Sequence, residues 1–236
     1  MSFALLTPPD ASDSGPARRA FRDAVAAPIA DPDVTRLIVA PQVSGPQADA
    51  QLAGVIAALM CSERLEVEVA YAAPEPTPAT GVYGLPHGAA ARELAENGVA
   101  RPLPLMRDDA ATVLVGRARH LGEDGAKLHG ESYVDDHRLF NGDVRGIEIE
   151  PTIAAPGLRA RLLGRTVFGR ELVNRERWYP GRAVQTGGTN IVVEREGVLT
   201  TRPVKRSTYY RHHVDLLLVT PAPVTPTPVT PPGGPA

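Results

Sequence analysis

The chain has 236 residues, 43% hydrophobic and 22% charged, with a formal net charge of −2. This length and composition suit an ordinary globular protein with one large core or two small ones. The near-neutral balance argues against a general nucleic-acid binder, which needs a basic surplus over a whole domain. Met1 to Thr7 lacks the positive region and the long apolar stretch of a signal peptide. No window approaches the roughly 18 apolar residues of a membrane span, so a cytoplasmic location is expected. Only Lys127 and Lys205 among the 25 basic residues are lysine, a hint of GC-rich bacterial coding. The single Cys61 excludes an intramolecular disulfide, and its place at the end of the apolar run from Val55 predicts a buried packing thiol.

Phe3 to Leu6 is a short apolar run stopped by Thr7, Pro8 and Pro9, which predicts a strand. A helix follows from Ser14 to about Ala27, with Ala17, Phe21, Ala24 and Val25 on one face. The unit repeats: Thr35 to Ala40 is a strand, Pro41 to Asp49 a loop, and Ala50 to Cys61 a helix of small residues suited to lying on a sheet. Leu65 to Tyr71 alternates as a third strand, with Glu66 and Glu68 turned to water, which suggests an outer position. This order implies a parallel sheet. A proline-rich loop, Ala73 to Pro86, leads to a helix from about His87 to Asn97, closed by Gly98.

Beyond residue 100 the periodicity changes. Short strand-like segments run from Arg101 to Leu105, Thr112 to Ala118, Val144 to Glu150, Leu158 to Leu163, Ala183 to Gln185, Ile191 to Glu194 and Leu216 to Val219, divided by Gly, Asp, Asn and Pro. Gly187-Gly188-Thr189 marks a hairpin or bulge, and Asp108 and Asp109 are expected to cap the turn before Thr112 or, as paired carboxylates at the domain join, to mark a metal-phosphate site. The expected architecture is α/β plus all-β: an abbreviated parallel α/β layer over residues 1–100, a β-sandwich-like domain over 101–219, and a Pro/Thr-rich tail over 220–236. That tail has seven prolines in seventeen residues and cannot build a core.

Three groups of residues carry chemistry. Gly197 to Val214 contains Arg202, Lys205, Arg206 and Arg211 and no carboxylate before Asp215, a cationic block suited to a phosphate or anionic lipid; the alternative is charge guarding a strand edge. The acid- and His-rich segment with His120, His129, Glu131, Asp135, Asp136 and His137 could hold a divalent metal, although the paired-histidine spacing of zinc proteases is missing. Arg175, Arg177, Trp178, Tyr179 and Arg182 form an aromatic-cation cluster, which serves either stacking on a ligand or rim packing with arginine stems laid over the tryptophan.

The join between the two halves has a particular wording. Thr80-Gly81-Val82-Tyr83-Gly84-Leu85-Pro86, a short alanine-rich helix, Gly98 and Arg101 to Leu105, then the apolar strand from Thr112 to Gly116, resemble the middle of the diacylglycerol kinase family of lipid kinases. Tyr133-Val134-Asp135-Asp136 and Leu139 are similar to that family's Asp-Asp-Gly-x-Leu segment, and Val192 to Arg202 to its late strand-turn-strand. The resemblance covers residues 34–215. It implies phosphoryl transfer from ATP with Mg²⁺ to a lipid hydroxyl, with Gly45, Thr80 and Gly81 near phosphates, Asp135 or Asp136 near metal, and Glu196 as the base.

Departures from the pattern imply weakened or lost transfer. The loop that should be Gly-Gly-Asp-Gly-Thr reads Pro41-Gln42-Val43-Ser44-Gly45-Pro46, in which proline removes an amide donor. The second nucleotide loop has Val82-Tyr83 in place of Asn-Asp, and Asp-Gly-Glu has become Glu196-Gly197-Val198. A plain hairpin turn also explains Arg195-Glu196-Gly197. The competing expectations are a non-catalytic scaffold that binds an anionic lipid or phosphorylated small molecule, and a metal-dependent hydrolase built on the His120 to His137 segment. No specific nucleic-acid partner is expected, and a homodimer is open.

Overall fold

The computed structural model of the protein describes residues 2–9, 15–164, 166–167, 170–171 and 177–222. Most of the Pro/Thr-rich tail, and Arg175, lie outside them. The first half builds β1 (Phe3–Leu6), α1 (Gly15–Ala30), β2 (Arg36–Val39), α2 (Pro46–Cys61), β3 (Glu68–Tyr71), α3 (Pro78–Tyr83), α4 (Ala89–Asn97) and β4 (Val99–Leu103). Strands β1, β2 and β3 pair in parallel in that order, as the alternation of strand and helix demands.

Helix α1 presents Phe21, Val25 and Ile29, spaced four apart, to the core. Ala24, expected on that face, is exposed. Helix α2 buries Leu52, Ile56 and Leu59 completely, each worth about 1.5–3 kcal/mol of apolar burial. Gly54 is required where the two helices meet, because a Cβ there would sit 2.7 Å from the Phe21 ring. Cys61 is exposed at the end of α2, not buried: the apolar stripe ends with Met60, and the helix terminus projects the next side chain outward.

The proline-rich loop contains a helix that its composition concealed. Thr77 caps α3: its hydroxyl accepts from Thr80 N (3.1 Å), and the Thr80 hydroxyl accepts from Thr77 N (2.8 Å). Pro78 sits at the first helical position, where a missing N–H costs nothing. Arg36, 2% exposed, reaches from β2 to the far end of α4, donating to the carbonyls of Ala95, Glu96 and Gly98 and pairing with Glu68 at 2.7 Å. A cation on the last carbonyls of a helix complements its dipole.

The second half is all β, as expected: β5 (Met106–Asp108), β6 (Val113–Leu114), β7 (Ala118–Gly122), β8 (Leu128–Val134), β9 (His137–Val144), β10 (Gly146–Pro151), β11 (Leu158–Leu162), the short pair β12 (Thr166–Val167) and β13 (Arg170–Glu171), β14 (Tyr179–Gly181), β15 (Ala183–Arg195), β16 (Val198–Leu199) and β17 (Val204–Arg211). The two segments expected at Ala183 to Gln185 and Ile191 to Glu194 are one strand, β15, with a bulge between Gly187 and Ile191. The bulge lets β15 change partner, from β8 over Val184 to Gly188 to β7 over Ile191 to Arg195, while β17 runs along its other edge. The result is a sandwich enclosing Leu128, Ile147, Ile149, Leu158, Val184, Ile191 and Val193.

Two strands assigned to the second half belong to the first. Strand β18 (Leu216–Thr220) returns to the parallel sheet, aligned with β3 and antiparallel to β4, giving the order β1-β2-β3-β18-β4. Strand β3 is therefore internal, not outer, and Glu68 meets Arg36 rather than bulk water. The physical reason is the uncovered edge that three strands leave: Leu216 and Leu218, at most 1% exposed, complete the core there. The two halves are thus tied twice, by the link after β4 and by β18.

Candidate functional site

The tie has a chemical centre at the β15–β16 hairpin. Arg195 pairs with Val198 across a two-residue turn, Glu196-Gly197, with φ of 45° and 75°. Positive φ at both residues is the type I′ geometry that matches strand twist. Glycine adopts it freely, whereas glutamate does so at a cost. The Glu196 side chain is nevertheless only 3% exposed. Its Oε1 accepts from Val115 N (2.8 Å) and Gly116 N (2.9 Å), and its Oε2 from Arg117 N (3.1 Å). Glu196 N in turn donates to Arg117 O at 3.0 Å. A glutamate in the turn thus satisfies the three successive amides that link β6 to β7.

A second carboxylate lies beside it. Asp49, in the first turn of α2 and 0% exposed, accepts from the Tyr71 hydroxyl at 2.8 Å and from Ala79 N at 2.9 Å. It thereby joins α2, β3 and α3. Gly116 separates the two acids: a Cβ there would fall 2.7 Å from Glu196 Oε2, 2.8 Å from Asp49 Oδ2 and 3.0 Å from Pro78. On the other side, a Cβ on Gly197 would lie 2.7 Å from Pro46 Cβ, so the turn docks on the start of α2.

No cation forms an ion pair with either acid among the described residues. Burial, then the charge of Asp49, pushes Glu196 up to about 7 against the three amides that hold it down. Burial likewise raises Asp49, although its hydrogen bonds oppose the shift. Tyr71 and Tyr83, buried next to these acids, are held well above the ordinary phenol range.

Beside the hairpin lies a cleft of about 410 Å³ between the helical layer and the sandwich. Phe21, Ala50, Ala53, Gly54 and Ala57 form one wall, and Thr112, Val113, Val198, Leu199 and Thr200 the other, with Arg195 and Glu196 in the lining. Arg195 donates to Asp108 Oδ2 at 2.7 Å, and Asp108 Oδ1 accepts from Thr112 N at 2.8 Å. The turn cap expected at Asp108 therefore exists and holds the cleft's cation.

The other residues singled out in the sequence are dispersed. Gly45, with φ of 64°, precedes α2 and has open space around it. Thr80 is buried with its hydroxyl engaged in the α3 cap, while Gly81 is exposed. Asp135, with φ of 48°, sits in the β8–β9 turn, where its carboxylate accepts from the amides of Arg182 (3.0 Å) and Ala183 (2.9 Å). Asp136 is exposed next to it. That turn adjoins Ala183, at the opposite end of β15 from Glu196, so a thirteen-residue strand, bulged midway, separates them by up to about 40 Å. The two aspartates and Glu196 do not form one site.

The histidine-rich segment is dispersed too. His120 is buried, His129 pairs with Asp143 at 2.7 Å, and His137 stacks on Tyr179. No cluster of three or more His, Cys, Asp or Glu groups able to hold a metal exists among the described residues. Arg202, Lys205 and Arg206 are exposed, and Arg211 pairs with Asp215 at 2.9 Å. On β17 it is Ser207 and Tyr209 that face inward, so the cationic block turns to water. Trp178 lies under the Arg159 and Arg161 guanidiniums at 4.5 and 4.3 Å, which is rim packing beneath arginines.

Sequence reasoning missed Asp49, the structural partner of Glu196. An aspartate in the first turn of a helix otherwise made of small apolar residues was the available signal.

Comparison with solved structures identifies the architecture. A protein of Bacillus anthracis str. Sterne, provisionally assigned as a diacylglycerol kinase, superposes with a TM-score of 0.65 over 95% of this chain and 98% of its own, at 11% identity. The fold is that of the diacylglycerol kinases. A diacylglycerol kinase structure from the same strain gives a TM-score of 0.59 over 91% of this chain and 85% of its own, at 9% identity. The fold extends to an NAD kinase from Archaeoglobus fulgidus, solved in complex with ATP, at a TM-score of 0.53 over 93% of this chain and 94% of its own, with 10% identity. No family profile and no curated protein matches the sequence. No described helix is long and apolar enough to cross a membrane.

Proposed function

We propose that the protein is a non-phosphorylating relative of the lipid kinases, which keeps their two-part framework and uses the junctional cleft to bind an amphipathic small molecule. The observation that carries this reading is the condition of Glu196. A general base must come within about 2.6–3.2 Å of the hydroxyl it deprotonates, and here both carboxylate oxygens are taken by three backbone amides and the residue is only 3% exposed. Its raised proton affinity follows from that burial and from Asp49.

The residues expected to hold ATP and Mg²⁺ fit them poorly. Phosphate cradles are built from glycine amides, whereas this loop offers Gly45 followed by Pro46, which has no N–H and is covered by the Gly197 turn. The Thr80 hydroxyl is engaged in a helix cap, and Asp135 holds two amides at the far end of β15.

The cleft suits a ligand with an apolar body and a polar head. Alanine, glycine and phenylalanine line its helical wall, and Arg195, Thr112 and Thr200 supply donors on the sandwich side. The test is to incubate the protein with Mg-ATP labelled at the γ-phosphate and vesicles containing diacylglycerol, alongside thermal unfolding with each component. The reading expects no transfer above the protein-free blank, no shift with Mg-ATP, and a rise in Tm with monoacyl lipid. Transfer that Glu196→Gln abolishes would overturn it and restore the kinase.

A further inference from the structure

The sandwich interior holds a second polar assembly. His120 on β7, Ser132 on β8, Thr186 and Arg195 on β15, and Tyr209 on β17 share its inner face. Cross-strand partners point the same way, and the partners here are Val193 with His120, Thr186 with Ser132, and Val184 with Tyr209; Arg195 follows two residues after Val193. His120, Ser132 and Tyr209 are 0% exposed and Thr186 2%.

The hydrogen-bond directions in this assembly are fixed by elimination. Ser132 Oγ donates its one proton to Gln185 O at 3.0 Å, so in its 2.9 Å contact with Thr186 Oγ1 it accepts. That contact uses the proton of Thr186. In the 2.8 Å contact between Thr186 Oγ1 and His120 Nδ1 the ring must therefore donate, and the proton of the neutral imidazole sits on Nδ1. Nε2 is then a bare lone pair.

Three buried polar atoms lack a close hydrogen bond at this place: His120 Nε2, Tyr209 Oη and Arg195 Nε. They are neighbours. The His120 and Tyr209 rings stack with centroids 5.9 Å apart, the Arg195 charge acts on both residues, and the Arg195 and Tyr209 side chains lie within hydrogen-bonding reach of each other. The three atoms form a complementary set of one acceptor, one donor and one hydroxyl that can be either.

We infer that one water molecule is bound in the sandwich interior among His120 Nε2, Tyr209 Oη and Arg195 Nε, donating to the imidazole and accepting from the guanidinium. The chemistry selects water. A metal ion would face the Arg195 charge, with Asp108, the paired carboxylate, already engaged by Arg195 and by Thr112 N. An anion would face the Nε2 lone pair. Water donates and accepts, and buried waters make about three hydrogen bonds. Burial, then the Arg195 charge, depresses His120 to about 3, so the ring stays neutral. The water thus holds Arg195, the cation of the cleft, from behind while Asp108 holds it from the side.

The test joins a crystal structure of the full chain at atomic resolution with ¹⁵N NMR of its imidazoles. The expected result is one water peak within hydrogen-bond distance of Nε2 and of Arg195 Nε, and a His120 ring in the Nδ1–H form throughout pH 5 to 8. A direct contact of Tyr209 Oη with Nε2 and no density between them, a peak with a metal's anomalous signal, or an Nε2–H ring would overturn the inference. Thr186→Val is the second arm. Loss of the Nδ1–H acceptor should shift the His120 ¹⁵N signals toward the other tautomer, and unchanged signals would contradict the relay. None of these outcomes depends on what the cleft binds.

Discussion

Glu148 and Glu196 are equally buried, each 3% exposed, yet their proton affinities move in opposite directions. On the outer face of the sandwich, Glu148 stands between Arg161 (2.6 Å) and Arg119 (3.1 Å), with Arg117 at 3.7 Å. Burial would raise it, but the hydrogen bond from Arg161 and the charges of both nearer arginines prevail and hold it below the ordinary carboxylate range. At the junction, Glu196 receives three amide protons and no countercharge, with Asp49 nearby, and rises to about 7. Burial alone does not set a carboxyl's character; the charge of its neighbours does. The first glutamate belongs to a cross-strand ladder. The second is a fastener that helps to close one half of the molecule on the other.

The difference predicts a graded set of effects. Glu196→Ala strands the amides of Val115, Gly116 and Arg117 in the interior, and at about 1–3 kcal/mol for each unsatisfied group should lower stability by about 3 kcal/mol or more in denaturant unfolding. A loss below about 1 kcal/mol would show that packing rather than these bonds holds the turn.

The pH dependence should also separate the two acids. The folded value of Glu196, about 7, lies above its ordinary 4.5, so its contribution is fully present below the ordinary value and is lost as pH rises through about 7. On linkage grounds that loss is on the order of 3 kcal/mol, and Glu196→Gln should flatten the decline. Glu148, held low, contributes above the ordinary value, and its contribution fades as pH falls below it. Unfolding curves across the range that show no decline on the alkaline side would refute the assignment.

Gly116→Ala should cost about 2 kcal/mol, because its methyl would enter the space between the two carboxylates; full stability by calorimetry would contradict the close approach. Glu148→Gln, whose arginine partners keep partial access to water, should cost about 1 kcal/mol at neutral pH and less in acid. Arg206→Ala, on the exposed block, should change stability by no more than about 0.5 kcal/mol.

Much of the layout was legible in the sequence because it rests on local signals. The strand-helix alternation before residue 100, the short strands after it and the Glu196-Gly197 turn all follow from periodicity and turn chemistry. What escaped was long-range. The Leu216 to Val219 run says that a buried strand exists, but nothing in its side chains says which sheet has a vacant edge. Helix α3 was hidden by the usual weight given to proline, although Thr77-Pro78 followed by Thr80 is a capping pattern. The site was half visible. Glu196 was noticed through its resemblance and its turn, whereas its partner Asp49 lies 147 positions earlier and meets it only through the packing of α2 on the hairpin. The expected metal pair does not share a site with Glu196, because strand length, which local motifs do not report, places Asp135 at the other end of β15.

The central claim is that Glu196 is a buried, uncompensated carboxyl fastening the two halves together. A ¹³C NMR titration of the glutamate side-chain carboxyls tests it most directly. The account predicts that Glu196 titrates near 7, while Glu148 titrates below the ordinary carboxylate range. A Glu196 resonance that titrates at or below 4.5, alongside Glu148, would contradict it.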